Sequence, residues 1–582
     1  MQSKLSTCGA LLGLLLLTSS AGADIRRVDA NIWTGANNGT SWSDAFFGPN
    51  GLQAALAVSS SGDQIWCAEG IYTPTNGTSR AVSIVLKNGV EIYGGFNGTE
   101  SSLDQRPAFG VAPSVLSGDL AGNDGTGSIT ENSYHVLKGT STNASAVLDG
   151  FTVSGGNANS GGNNNKGAGI LCVSNSSPTI RNCRFVGNRC TFGGGAGYIS
   201  GSAPSFTDCI FDSNTGGSYG GAFDIAGAGA IVFDRCEFLG NSAARAGALE
   251  IYSTNGVKVI NCVFHGNTAT GGGGGGALWM GSGGNTQLRN CTIVANYSTV
   301  NAAAGLRVSG ASPSVSNCIF WDNAGPGGAQ AAANQVTGTS AVTYSIVEGG
   351  LTGTGNLSTP PLFTDAASAN YSLMDSSAGV DAGSNAMVPS GIVLDFDHNP
   401  RFADAPVADT GSGAAPVVDM GAHEVSPVSL VAFCFGDGSG TACPCGNAGV
   451  AGSGCASSAY AEGCELSASG TPSIANDTLV LSAVRSTPSQ PGIFFLANNA
   501  VNSGMGNSFG DGLRCAGGGV KRLQVRFAGG AGFASSSVNI SQAAGLVAGD
   551  LKRLQWWYRN PVGSPCGYGF NLSNGLEVTW SL

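Results

Sequence analysis

Six times between residues 182 and 323 the chain repeats one seven-residue phrase. It reads "NCRFVGN" (182–188), "DCIFDSN" (208–214), "RCEFLGN" (235–241), "NCVFHGN" (261–267), "NCTIVAN" (290–296) and "NCIFWDN" (317–323). The cysteines Cys183, Cys209, Cys236, Cys262, Cys291 and Cys318 are 26, 27, 26, 29 and 27 residues apart. A fixed period of this length is the mark of a solenoid, in which each repeat is one structural unit stacked on the next. Three residues before each cysteine stands an apolar residue (Ile180, Phe206, Phe233, Val259, Leu288, Val315). Two after it comes Phe or Ile, and five after it an asparagine.

A second phrase lies between the copies: "GGAGYIS" (194–200), "GGAFDIA" (220–226), "AGALEIY" (246–252), "GGALWMG" (275–281) and "AAGLRVS" (303–309). Within it apolar and other residues alternate, as in Phe223/Ile225 and Leu249/Ile251, which predicts a strand with one face buried. No helical period is kept here, and glycine is too frequent for helices. Each period is therefore read as two or three short strands separated by Gly- and Asn-rich turns. A single coil cannot bury its own apolar face, whereas stacked coils build a continuous core. Equivalent residues then lie about 4.8 Å apart, the spacing of paired strands. Asparagine tolerates left-handed backbone and can bond to its own copies above and below, so the repeated phrase reads as structure rather than chemistry.

The paired "GGA" and "FxxN" phrases resemble those of the polymorphic outer-membrane-protein repeats and the wider right-handed parallel β-helix, or pectate-lyase-like, superfamily. The flanks resemble secreted bacterial β-helix proteins through "VDANIWTGANNGTSWSDAF" (28–46), "GDQIWCAEGIYTP" (62–74), "LSGDLAGNDG" (116–125), "DFDHNPR" (395–401) and "VDMGAHE" (418–424). The resemblance implies an all-β protein: a right-handed parallel β-helix followed by a smaller, β-rich, disulfide-containing domain. It implies an N-terminal cap with first coils over 24–147, a β-helix over 148–424 with its repeat core at 166–325, a linker at 425–432 and a C-terminal module at 433–582. It implies no single activity, because one fold hosts many.

Met1–Ala23 has the layout of an export signal, with Lys4 before the apolar run Leu11–Leu17 and Ala21-Gly22-Ala23 at the cleavage site. That run is too short for a membrane span, and no later stretch is long and apolar enough. The expected location is extracellular or at the cell surface. A net charge of −11 speaks against a nucleic-acid partner, which would need clustered Lys and Arg. In an exported chain the seven unevenly spaced cysteines Cys434, Cys443, Cys445, Cys455, Cys464, Cys515 and Cys566 read as disulfide partners with one thiol left over. The ladder cysteines read instead as small hydrophobes in an apolar column.

Candidate site residues come from stacking the "GGA" strands. The outward position holds Tyr198, Asp224, Glu250, Trp279 and Arg307, at spacings of 26, 26, 29 and 28 residues. On a water-facing sheet this column would offer Tyr198, Trp279 and Arg307 for glycan contact. Asp224 and Glu250, on adjacent coils, could hold carboxyls near the separation used by retaining glycosidases. Asp119 and Asp124 in "GDLAGNDG", and Asp395 and Asp397 in "DFDHNP", are candidate calcium ligands, although Asx beside Gly commonly forms turns. His265 varies among the copies and reads as a surface position. His135 and His423 read as structural. The expected role is structural and glycan-binding. The alternatives are a polysaccharide lyase or glycoside hydrolase acting on the same face, and a protein-binding adhesin.

Overall fold

The computed structural model describes residues 23–580, except 228, 253, 255, 283–284, 301–302, 329–331, 340, 406, 426–429, 471, 475–476 and 548. The export signal expected at the N-terminus thus lies outside the described residues but for its last position, and so does the middle of the expected linker. The chain divides into two compact units. The first runs to Ser390 and takes in 409–414 and 419–423; the second comprises 391–408, 415–418 and 424 onward. No helix among the described residues is long and apolar enough to cross a membrane.

The first unit is a parallel β-helix with three strands per coil. Equivalent strands of successive coils pair into parallel sheets of twelve, ten and nine strands. Register follows the period of the sequence. Ile180, Phe206, Phe233, Val259, Leu288 and Val315 are successive partners in the first sheet. Phe185, Phe211, Phe238, Phe264, Ile293 and Phe320 are partners in the second. Both columns point into one continuous core. Their rings stack along the axis, Phe238 on Phe264 at 4.4 Å between centroids and Phe206 on Phe233 at 5.0 Å. At the N-terminal end the helix Gly51–Val58 buries Leu52, Ala55 and Leu56 in the same core.

The repeated asparagines form a closed ladder. The Asn241 amide nitrogen donates to Phe211 O (2.7 Å) and Asn267 Oδ1 (3.0 Å), while its Oδ1 accepts from Asn214 N (3.0 Å) and Asn214 Nδ2 (3.1 Å). The pattern recurs at Asn188, Asn214, Asn267 and Asn296. It ends on Gln335, whose Oε1 accepts from Asn323 (2.7 Å) and whose Nε2 donates to Glu348 (3.0 Å). The left-handed backbone expected at these asparagines lies one residue earlier, at Gly187, Ser213, Gly240, Gly266, Ala295 and Asp322, with φ 52–66°. The preceding residue turns the corner, which leaves the asparagine free to point its amide inward. A second left-handed corner holds the residue before each cysteine, from Asn182 to Asn317, with φ 48–56°. There too neighbours are bonded: Arg235 holds Asp208 at 2.8 and 3.1 Å, and Asn317 donates to Asn290 at 2.9 Å. The ladder cysteines are unpaired and buried, as expected, and burial pushes the thiols of Cys183, Cys209 and Cys236 well above the usual range.

The second unit is built differently. An antiparallel five-stranded sheet runs in the order Leu430–Phe433, Phe570–Thr579, Leu551–Arg559, Pro491–Ala497, Lys521–Phe527. A three-stranded sheet pairs Glu465–Ser469, Val480–Val484 and Ala534–Ser535. Leu466, Leu481, Phe494, Trp556 and Trp580 share a core. Disulfides join Cys434 to Cys515, Cys443 to Cys455 and Cys445 to Cys566, leaving Cys464 as the buried free thiol.

Candidate functional site

The strands Gly197–Ser200, Phe223–Ala226, Leu249–Tyr252, Leu278–Gly281 and Leu306–Ser309 lie side by side in the nine-stranded sheet. Tyr198 pairs with Asp224, Asp224 with Glu250, Glu250 with Trp279 and Trp279 with Arg307. The column therefore exists in the order the spacing predicts. It does not face water. Tyr198 is 8% exposed, Asp224 5%, Glu250 2% and Trp279 7%, and only Arg307 is half-exposed.

The cover comes from the segments that lead into these strands. Lys166, Gly193, Tyr219 and Arg245, each five residues before an outward position, are bridge partners in successive coils. The side chains of Lys166 and Arg245 fold over the column. The Lys166 ammonium lies over the rings of Phe192 (4.7 Å) and Tyr198 (4.6 Å). The Arg245 guanidinium lies over Tyr219 (4.5 Å) and Trp279 (4.0 Å), placements that the negative faces of the rings favour. Glycine at 193 leaves room for the carboxylate beneath, since a Cβ there would lie 2.1 Å from Asp224 Oδ2. Sequence reasoning missed Lys166, Tyr219 and Arg245, although the same five-residue offset would have found them.

The two carboxyls sit in unequal surroundings. Arg245 binds Glu250 with two parallel hydrogen bonds, Nε to Oε2 at 3.0 Å and Nη2 to Oε1. Burial raises the Glu250 carboxyl, against the bonds and charge of Arg245. The Asp224 carboxyl makes no hydrogen bond or ion pair among the described residues. Burial first, then the Glu250 charge, push its carboxyl up to about 7, against the pull of Lys166 and Arg245. One carboxyl is thus buried without a hydrogen-bonding partner among the described residues beside a second that is tied to a guanidinium, unequal surroundings of the kind that acid–base pairs use. Two residues beyond Glu250, Tyr252 is 44% exposed and its ring stacks on Trp279 at 6.4 Å and 22°. An exposed aromatic face therefore borders the covered polar cluster.

The other expected residues fare unequally. Asp119 and Asp124 come together with Glu131, each offering an oxygen within 4.8 Å of the others. Asp395 is fully buried and accepts from the backbone N–H of Asn399 (2.7 Å) and Glu424 (2.8 Å), so it folds its turn, while Asp397 is exposed. This arrangement gives no support to calcium there. His265, expected at the surface, is 8% exposed; it bonds Glu237 at 2.8 Å and packs edge-on against Tyr371 at 5.4 Å. His135 is buried between Gly167 O (2.9 Å) and Asn164 Oδ1 (3.3 Å), and burial lowers it to about 4, which fits a structural role.

Residues 217–356 match a family model described as the right-handed β-helix region. No curated protein sequence matches the chain. Among solved structures the chain is similar to the crystal structure of a pectate lyase, at 14% identity and a TM-score of 0.35, covering 69% of this chain and 97% of that one. The family match and the strand topology agree on the architecture: the repeat-bearing unit of this chain is a right-handed parallel β-helix.

Proposed function

We propose that the protein is an extracellular or cell-surface β-helix that binds glycan on its nine-stranded sheet, with Tyr252 as the contact platform and Trp279 as its backing. The observation that carries this reading is the Tyr252–Trp279 stack beside a fixed row of polar groups. An exposed ring gives a sugar face contact area, and the guanidinium groups of Arg245 and Arg307 lie on the same sheet face with donors suited to hydroxyls. Three disulfides in the second unit fit an oxidising compartment.

A second reading, glycoside hydrolysis, is favoured by one observation, the buried Asp224 carboxyl on the strand next to the Arg245-bound Glu250. The burial of both carboxyls favours binding over turnover, because Arg245 occupies Glu250 and Gly193 packs over Asp224.

The test is retention on a polysaccharide panel, with reducing and unsaturated ends measured on the same samples. The expected result is retention without new ends, lost in Tyr252→Ala. Tyr252→Ala loses a half-exposed ring and its stack on Trp279, a cost to folding of about 1 kcal/mol. Trp279→Ala is the poorer probe, because removing a buried indole costs about 3 kcal/mol by itself. New ends that disappear in Asp224→Asn would establish the enzyme instead. No retention on any polysaccharide would reject the proposal.

A further inference from the structure

The loop between the strands Ser114–Ser117 and Leu137–Thr140 gathers three carboxylates, and three buried oxygens of the same loop have no hydrogen-bond partner. Asp119, Asp124 and Glu131 bring one carboxylate oxygen each to within 4.8 Å of one another, and none of the three is in an ion pair among the described residues. Three such groups repel unless a cation lies among them. Part of the cluster is held by the loop itself. Asp119 accepts from the backbone N–H of Ala121 (3.2 Å), Asn123 (3.1 Å) and Asp124 (3.0 Å). Glu131 Oε2 accepts from Ser128 Oγ (3.3 Å) and Thr130 Oγ1 (3.2 Å).

An independent observation comes from the carboxamides. Asn132 is 1% exposed, and its backbone carbonyl is fixed by Arg80 Nε at 2.5 Å. Its Nδ2 reaches both oxygens of Asp124, at 3.0 and 3.2 Å, which turns the amide onto the acidic cluster. On that same amide Oδ1 is buried with no hydrogen-bond partner, and so are Asn123 Oδ1 and Glu131 Oε1. Buried polar atoms are rarely left unpaired, so two orphaned carboxamide oxygens and one orphaned oxygen of the carboxylate cluster itself call for a missing donor of positive charge.

We infer that this loop is a calcium site, formed by Asp119, Asp124 and Glu131 with carboxamide oxygens from Asn123 and Asn132. The donor set is all oxygen, without the nitrogen or sulfur ligands that transition metals favour. An irregular loop of carboxylates and amides suits the adaptable coordination shell of calcium better than the strict octahedron of magnesium.

The experiment is calorimetric titration of the chelator-stripped full chain with calcium alone, and with magnesium alone, together with melting curves in both states. One calcium per chain is expected, with a higher melting temperature in calcium than in chelator and a much weaker response to magnesium. Asp124→Asn combined with Glu131→Gln should abolish that binding event. In chelator this variant should melt no lower than the parent, because it loses like-charge repulsion; that arm separates a lost site from a damaged fold. Asn132→Ala should weaken binding about 10-fold. The inference is overturned if calcium does not bind, if the double variant binds it unchanged, or if magnesium binds equally well.

Discussion

The two units of this chain keep their cores by opposite means. The β-helix contains nine of the ten described free cysteines and none of the disulfides, whereas the second unit carries all three bridges. In the solenoid every coil repeats the neighbour's pairing, so order propagates through local ladders of asparagine, cysteine and phenylalanine. In the second unit the bridged residues are 81, 12 and 121 positions apart, and no periodic pairing supports them. Cross-links restrict the unfolded chain most where the loops they close are long. Sulfur chemistry thus separates the units: in one the thiol is a core side chain, in the other a covalent tie.

Reduction is the largest lever on that difference. Losing a native disulfide from a small domain typically costs about 2–5 kcal/mol. Scanning calorimetry with and without reductant should show the transition of the second unit falling or vanishing and that of the β-helix unmoved. Alkylation of the native, unreduced protein should leave Cys183 to Cys318 unlabelled, because they are buried and burial disfavours the thiolate. A reductant-sensitive β-helix transition would erase the contrast.

A smaller effect sharpens the contrast from the other side. Asn241→Ala removes four hydrogen bonds at once and leaves Asn214 N, Asn214 Nδ2 and Phe211 O without their partners. A cost of about 3 kcal/mol is expected on the β-helix transition alone. Asn97→Ala is the control: its side chain is exposed and outside the ladder, and the change should cost about 0.5 kcal/mol or less. Equal melting temperatures for the two variants would remove the ladder from the account.

What the sequence disclosed followed the period. Strand register, the inward columns and the order Tyr198–Asp224–Glu250–Trp279–Arg307 all depend on residues that recur every coil, and stacking fixes them. What it hid came from segments outside the repeat. The cover over Asp224 and Glu250 comes from Lys166, Gly193, Tyr219 and Arg245, which do stack in successive coils but lie outside both repeated phrases and change residue type from coil to coil, so only the five-residue offset reveals them. His265 varies among the copies as a solvent-facing residue would, yet the hairpin Phe363–Leu373 folds back from a hundred residues later to place Tyr371 on it. The acidic loop was half legible: Asp119 and Asp124 share a motif, while Glu131 and Asn132 join them through a turn that no spacing announces.

The central structural claim is that the outward column from Tyr198 to Trp279 is a covered, charge-coupled cluster rather than a solvated surface. Its sign with pH is definite. An ordinary aspartate titrates near 3.8 and Asp224 near 7, so between those values the folded protein binds more protons than the unfolded chain. Stability from this group is therefore greatest below about pH 4 and falls as pH rises through about 7. Asp224→Asn should in consequence stabilise the β-helix at pH 8 by about 1–3 kcal/mol and flatten that dependence. The direct measurement is a carboxyl-carbon NMR titration of aspartate-labelled protein, with Asp224→Asn identifying the resonance. The account predicts a midpoint near 7 for Asp224, while a midpoint near 4 would show the column open to water and contradict it.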